Sequence, residues 1–73
     1  MNDGIAFIGG GNMARSLIGG LVAQGRDPAS IRVAEPVAVL RDALAADFGV
    51  RVFDDSAQAI DGAATWVLAT KPQ

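Results

Sequence analysis

The sequence has no cysteine and no histidine. Without cysteine there are no disulfides and no thiolate nucleophile; without histidine there is no imidazole base, and the usual transition-metal ligands are gone with both. No metal site is expected, and any acid or base in this chain has to be Asp, Glu or Lys. Basic charge is also scarce: six Lys and Arg residues are scattered among eight acids, for a net charge of -2. No basic stripe is available to neutralise a phosphate backbone, so nucleic acid is not expected as a partner. Long apolar runs are missing too, since none approaches the ~20 residues of a membrane span. The opening Met1-Asn2-Asp3-Gly4 carries an early acid and leads into the short run Ile5-Ala6-Phe7-Ile8, unlike a signal peptide. No membrane association is expected, and a reducing cytoplasm is the expected location.

What is present is the composition of a folded core, with 51% hydrophobic and 19% charged residues. At 73 residues the chain makes one small domain at most. A chain of that size buries only about 60% of its unfolded surface and is marginally stable.

Apolar runs and helical stripes alternate along the chain. Ile5 to Ile8, stopped by glycines, suits a strand buried on both faces. Ala14, Leu17, Ile18, Leu21 and Val22 then recur at helical spacing, predicting a helix over about 12–24 that Gly25 ends. Arg26 to Ser30, with its Asp-Pro, reads as a loop, and Ile31 to Glu35 as a second strand closed by Pro36. Val37, Leu40, Leu44 and Phe48 form a second helical stripe ending at Gly49, with Arg41, Asp42 and Asp47 off it. Val50 to Phe53 predicts a third strand. Asp54, Asp55 and Ser56 offer caps for a short helix through about Asp61, and Thr65 to Thr70 a fourth strand.

Strands alternating with helices imply right-handed crossovers and a parallel sheet in the order 3-2-1-4. The expectation is an α/β, Rossmann-like half-domain over residues 1–73, truncated before its remaining strands. Two helices would cover one sheet face and only the short third helix the other, leaving that second face largely bare.

The pattern Gly9-Gly10-Gly11-Asn12-Met13-Ala14, placed between the first strand and the first helix, is the informative signal. Gly9 permits the tight turn, Gly11 lets a pyrophosphate approach the backbone, and Ala14 lets helix and strand pack closely. The first amides of the helix then face the anion, aided by the helix dipole. A glycine turn without ligand is the competing reading. Glu35 ends the second strand where an acid hydrogen-bonds the adenosine ribose of NAD, or it is only a solvated strand end. Arg41 is able to swing from the second helix toward a 2′-phosphate, so NADH and NADPH both stay open as cofactors. Asp54 and Asp55 read as helix caps rather than a catalytic pair. Gly19 and Gly20, inside the first helix, imply close packing on the sheet or on a partner. Trp66 reads as a core or interface residue. Thr70-Lys71-Pro72 falls at the carboxyl end of the fourth strand, beside the crevice where the strand order reverses; a plain strand end with a solvated lysine is the alternative.

Taken together, Phe7 to Ala14, Leu17-Ile18, Gly20-Leu21 and Ala69-Thr70-Lys71-Pro72-Gln73 resemble the amino-terminal domain of pyrroline-5-carboxylate reductases over nearly the whole chain. Related β-hydroxyacid dehydrogenases and imine reductases usually carry Met-Gly where this chain has Met13-Ala14. The resemblance implies a complete enzyme that reduces the C=N bond of 1-pyrroline-5-carboxylate to L-proline by hydride from NADH or NADPH, in proline biosynthesis. It implies that Gly9 to Ala14 hold the pyrophosphate, that Glu35 lies by the ribose, and that Ala69, Thr70, Lys71 and Pro72 line the path to the nicotinamide. Ser56 stands near the adenosine where the family commonly has Asn, and reaches less far. The family's helical carboxyl-terminal domain, which supplies dimer contacts and most of the substrate pocket, has no counterpart in these residues. No catalytic residue is therefore assigned to this chain, and a substrate and a homo-oligomer are expected only of the full-length protein.

Overall fold

The computed structural model describes residues 4–9 and 11–68. Its elements run β1 (Ile5–Ile8), α1 (Asn12–Ala23), a 3-10 turn (Pro28–Ser30), β2 (Ile31–Ala34), α2 (Ala38–Phe48), β3 (Arg51–Phe53), α3 (Ser56–Ile60) and β4 (Thr65–Leu68). The strands form one parallel sheet in the order β3-β2-β1-β4. This is the order expected when each strand is joined to a parallel neighbour by a right-handed crossover.

Local chemistry sets the element ends. At the end of α1 the Gly25 N–H donates to the Val22 carbonyl at 3.0 Å and the Arg26 N–H to the Leu21 carbonyl at 3.1 Å. This paired closure needs a left-handed residue, and Gly25 supplies it with φ 98°. Gly49, at φ 75°, ends α2 in the same way with a single bond from its N–H to the Ala45 carbonyl at 2.9 Å. The segment expected as a loop holds one turn of 3-10 helix, because the Asp27 carboxylate accepts from the Ala29 N–H at 3.0 Å and Pro28 presets the first φ.

β1 lies inside the sheet, and its side chains alternate between two cores. Phe7 joins Ile31 and Val33 beneath Ala14 and Ile18 of α1 and Leu44 of α2. On the other face Ala6 and Ala34 meet Ala59 of α3. That second face is less bare than its short helix suggested. Three alanines leave so little between sheet and helix that a five-residue α3 sits close over β1 and β2. What stays uncovered is on β4: Trp66 and Leu68 share this face with Ala6 and Ile8, and are 55% and 64% exposed. Trp66 is thus not a core residue of the described fold.

The α2 stripe is also only partly buried. Leu44 is enclosed and Phe48 half-buried, whereas Leu40 is 39% exposed and Val37 precedes the helix. β3 is three residues long, about 10 Å, against about 16 Å for the eleven residues of α2, so the helix overruns its support. Gly19 packs on the Phe48 ring of α2, where an added Cβ would lie 3.5 Å from Cε1; Gly20 has nothing within 4 Å of such an atom. The helix glycines therefore serve helix–helix packing at one position and no close approach among the described residues at the other.

Two stability measurements follow. Leu44→Ala is expected to cost about 2–5 kcal/mol in urea unfolding, a large part of the stability of a domain this small, while Leu40→Ala costs under about 1 kcal/mol. Gly20→Ala, at an unobstructed helical position, is expected to stabilise by about 0.5–1 kcal/mol.

Candidate functional site

Because all four strands are parallel, the segments that follow their carboxyl ends gather along one edge of the sheet. Gly9 and Gly11 follow β1, Glu35 follows β2, and Ser56 opens the helix after β3. The strand order turns back between β1 and β4: α1, which follows β1, packs on one face, and α3, which leads into β4, packs on the other. The crevice outside the strand ends at such a reversal is where ligands bind in open α/β sheets. Gly10 and the segment Ala69, Thr70, Lys71 and Pro72 lie outside the described residues.

The turn out of β1 depends on glycine at Gly9. Its N–H extends the ladder to the Ala34 carbonyl at 2.8 Å, and its φ of 105° then turns the chain away from the sheet. Gly11 plays a different part. With φ −74° and ψ −167° it is the N-cap of α1, a conformation open to any residue, and an added Cβ there meets nothing within 4 Å. The bare space in front of Gly11 is thus a cradle that a side chain would fill.

The first helical bond runs from the Arg15 N–H to the Gly11 carbonyl at 3.0 Å, so the amides of Asn12, Met13 and Ala14 have no partner within the helix. The N-cap, Gly11, has no side chain to cap them. Asn12 and Met13 point outward and are exposed, whereas Ala14 is fully buried against the sheet. The opening of α1 thus presents N–H groups without helical partners at the positive end of the helix dipole, in space that Gly11 leaves clear among the described residues. This suits a pyrophosphate.

Glu35 is at this edge, level with Gly9 across the β1–β2 pair, but it is 6% exposed. Its N–H donates to the Phe53 carbonyl at 2.8 Å, and its Oε2 accepts from the Val37 N–H at 2.9 Å. The carboxylate is drawn into the β2–α2 turn rather than left as a solvated strand end. Arg41 reaches back over the same turn, its Nη1 donating to the Glu35 carbonyl at 2.8 Å and the Pro36 carbonyl at 3.0 Å. Asp55 caps α3 by accepting from the Ala57 N–H at 2.7 Å, as a capping rather than catalytic carboxylate does. Ser56, the first residue of α3, is exposed on this edge.

One feature was not legible in the sequence. Beside α1, an apolar groove of about 360 Å³ runs between Leu17, Gly20 and Leu21 and the strand residues Ile5, Phe7 and Val67. The only hint of it is that the α1 stripe, spanning Ala14, Leu17, Ile18, Leu21 and Val22, is wider than one helix–sheet contact requires. Among the described residues no helix is long and apolar enough to cross a membrane.

Comparison with known proteins adds to this geometry. The family model described as NADP oxidoreductase, coenzyme F420-dependent, matches residues 4–73. A pyrroline-5-carboxylate reductase of Pseudomonas aeruginosa is 51% identical over 69 residues, covering 94% of this chain and 25% of that protein. One from Vibrio alginolyticus is 45% identical over 69 residues, with the same coverage of 94% and 25%. The solved structure of a pyrroline-5-carboxylate reductase from Coxiella burnetii aligns with a TM-score of 0.93 at 40% identity, over 99% of this chain and 27% of that one. The chain spans about a quarter of the length of these relatives.

The two glycines are expected to separate in stability measurements. Gly9→Ala forces a β-carbon into a left-handed conformation and should cost about 1–2 kcal/mol, whereas Gly11→Ala should change the unfolding free energy by less than about 0.5 kcal/mol.

Proposed function

Since the chain belongs to the family of NADP oxidoreductases described as coenzyme F420-dependent, we propose that it is the nicotinamide-dinucleotide-binding part of a pyrroline-5-carboxylate reductase. The full-length protein then reduces 1-pyrroline-5-carboxylate to L-proline, in proline biosynthesis in the cytoplasm, and works as a homo-oligomer. The observation that carries this reading is the bare glycine entrance to α1, set at the reversal of strand order between β1 and β4. The relatives' shared name supplies the substrate.

In this reading the Asn12, Met13 and Ala14 amides donate to the pyrophosphate, and Gly11 keeps the approach clear. Ala14, buried under the helix, holds the first turn of α1 close to β1. Gly10 is assigned to the same pyrophosphate contact. Glu35 and Ser56 stand along the edge toward the adenosine, and Ala69, Thr70, Lys71 and Pro72 are assigned to the nicotinamide. The bound cofactor supplies the hydride; the groups that hold the imine and give its nitrogen a proton belong to parts of the reductase beyond this chain. Domain limits of 1–73 are accordingly those of a partial dinucleotide-binding domain.

Titration of the chain with NADPH and NADH should show saturable binding of at least one. Gly11→Val is expected to weaken it by about tenfold or more while leaving the melting temperature within about 2 °C, because the side chain enters the cradle, where a Cβ meets nothing within 4 Å. In the full-length protein, oxidation of the reduced cofactor should depend on 1-pyrroline-5-carboxylate. Turnover of a β-hydroxyacid in its place, or no dinucleotide binding at all, would overturn the proposal.

A further inference from the structure

Sulfur is scarce in this chain: there is no cysteine, and Met1 and Met13 are its two methionines. Met13 is the second residue of α1 and is 62% exposed, so its side chain is largely open to solvent. The first turn packs on the sheet through the neighbouring Ala14 instead, which is fully buried. A helical Cα–Cβ bond tilts toward the amino end of its helix, and long side chains follow it. From the second position the thioether is therefore carried toward the opening of α1. There the N–H groups of Asn12, Met13 and Ala14 have no helical partner, and Gly11 offers no side chain to them. A Cβ added to Gly11 meets nothing within 4 Å, so that space is clear among the described residues. A thioether is a weak acceptor and leaves such amides to a ligand. Its sulfoxide is polar, and the sulfoxide oxygen is a strong acceptor.

We infer that Met13 is an oxidation site that governs dinucleotide binding: hydrogen peroxide converts its thioether to the sulfoxide, whose oxygen takes up amides at the opening of α1 in place of pyrophosphate oxygens. This role for Met13 rests on the reading that the opening holds the pyrophosphate. In the oxidation the sulfur lone pair attacks one peroxide oxygen and the O–O bond breaks. The proton on the transferred oxygen passes to the departing hydroxide, so the products are methionine sulfoxide and water. Sulfur loses two electrons and the peroxide gains them. The sulfoxide dipole then has its negative end beside the positive end of the helix dipole, a favourable arrangement. Oxidation therefore blocks the ligand without opening the helix. It is reversible, since methionine sulfoxide reductases return the thioether with a dithiol as reductant.

The test exposes the chain to hydrogen peroxide, locates the oxygen gain by peptide mass, and follows NADPH and NADH affinity by cofactor fluorescence, with melting curves alongside. Met13 should gain one oxygen, and a saturating dinucleotide should slow that gain. Both dissociation constants should rise by about fivefold and to the same extent, because the pyrophosphate is common to the two cofactors. The melting temperature without ligand should hold within about 2 °C. Methionine sulfoxide reductase with dithiothreitol should restore the affinity. Met13→Leu, compared with its own untreated affinity, should be insensitive to peroxide. Unchanged affinity after complete oxidation of Met13 would overturn the oxidation site while leaving dinucleotide binding intact. An equal peroxide-dependent loss in Met13→Leu would also overturn it, by placing the lesion elsewhere in the chain. So would a melting temperature lowered beyond that range, which would make the oxidation a packing defect. Failure of the untreated chain to bind either cofactor would remove the proposed function, and this control of it as well.

Discussion

The fold depends on the burial of β1. This four-residue strand is paired along both edges, to β2 and to β4, and covered on both faces, by the cluster around Phe7 and by the alanines around Ala6. A strand so placed cannot leave its backbone groups unpaired or its side chains wet, which is why its residues are apolar without alternation. Its carboxyl end then has one way out, upward from the sheet edge. Gly9 makes that exit in a conformation disfavoured for residues with a β-carbon, and Gly11 launches α1 with its amides facing open space. The candidate site is thus a consequence of how the central strand ends.

The two faces of the sheet solve the packing problem differently. Beneath α1 and α2 large side chains interlock, with Phe7, Ile18, Ile31, Val33 and Leu44 enclosed. On the opposite face the contact is made almost wholly of alanine, which brings α3 close but buries little apolar area per residue. Binding sites depend on such asymmetry. The bulky core fixes the direction of α1, and therefore of its amides, while the thin core lets the β3–α3 segment stand beside the same edge.

Charge at the end of β2 shows how a side chain's identity and its role part company. Glu35 and Arg41 are both polar residues near a predicted strand end, and spacing alone points to the acid as the ribose ligand. In the structure the acid is drawn into the turn by the Val37 N–H, and the guanidinium is braced across the carbonyls above it. Both side chains of this turn are thus held by backbone groups, where the sequence pattern suggests a free acid.

By itself the sequence determined the alternation of strands and helices, the handed order of the sheet and the glycine entrance to α1, since each rests on local spacing: apolar runs, helical stripes, and glycines where chain direction must change. Tertiary structure alone decided that Leu40 overruns a short edge strand, that three alanines let α3 cover the second face, that Trp66 and Leu68 stay exposed on β4, and that Glu35 is buried while Arg41 is braced over it. These outcomes depend on contacts between segments far apart in the chain, whose geometry no periodicity encodes. Burial and hydrogen-bond partners are properties of the assembled layers.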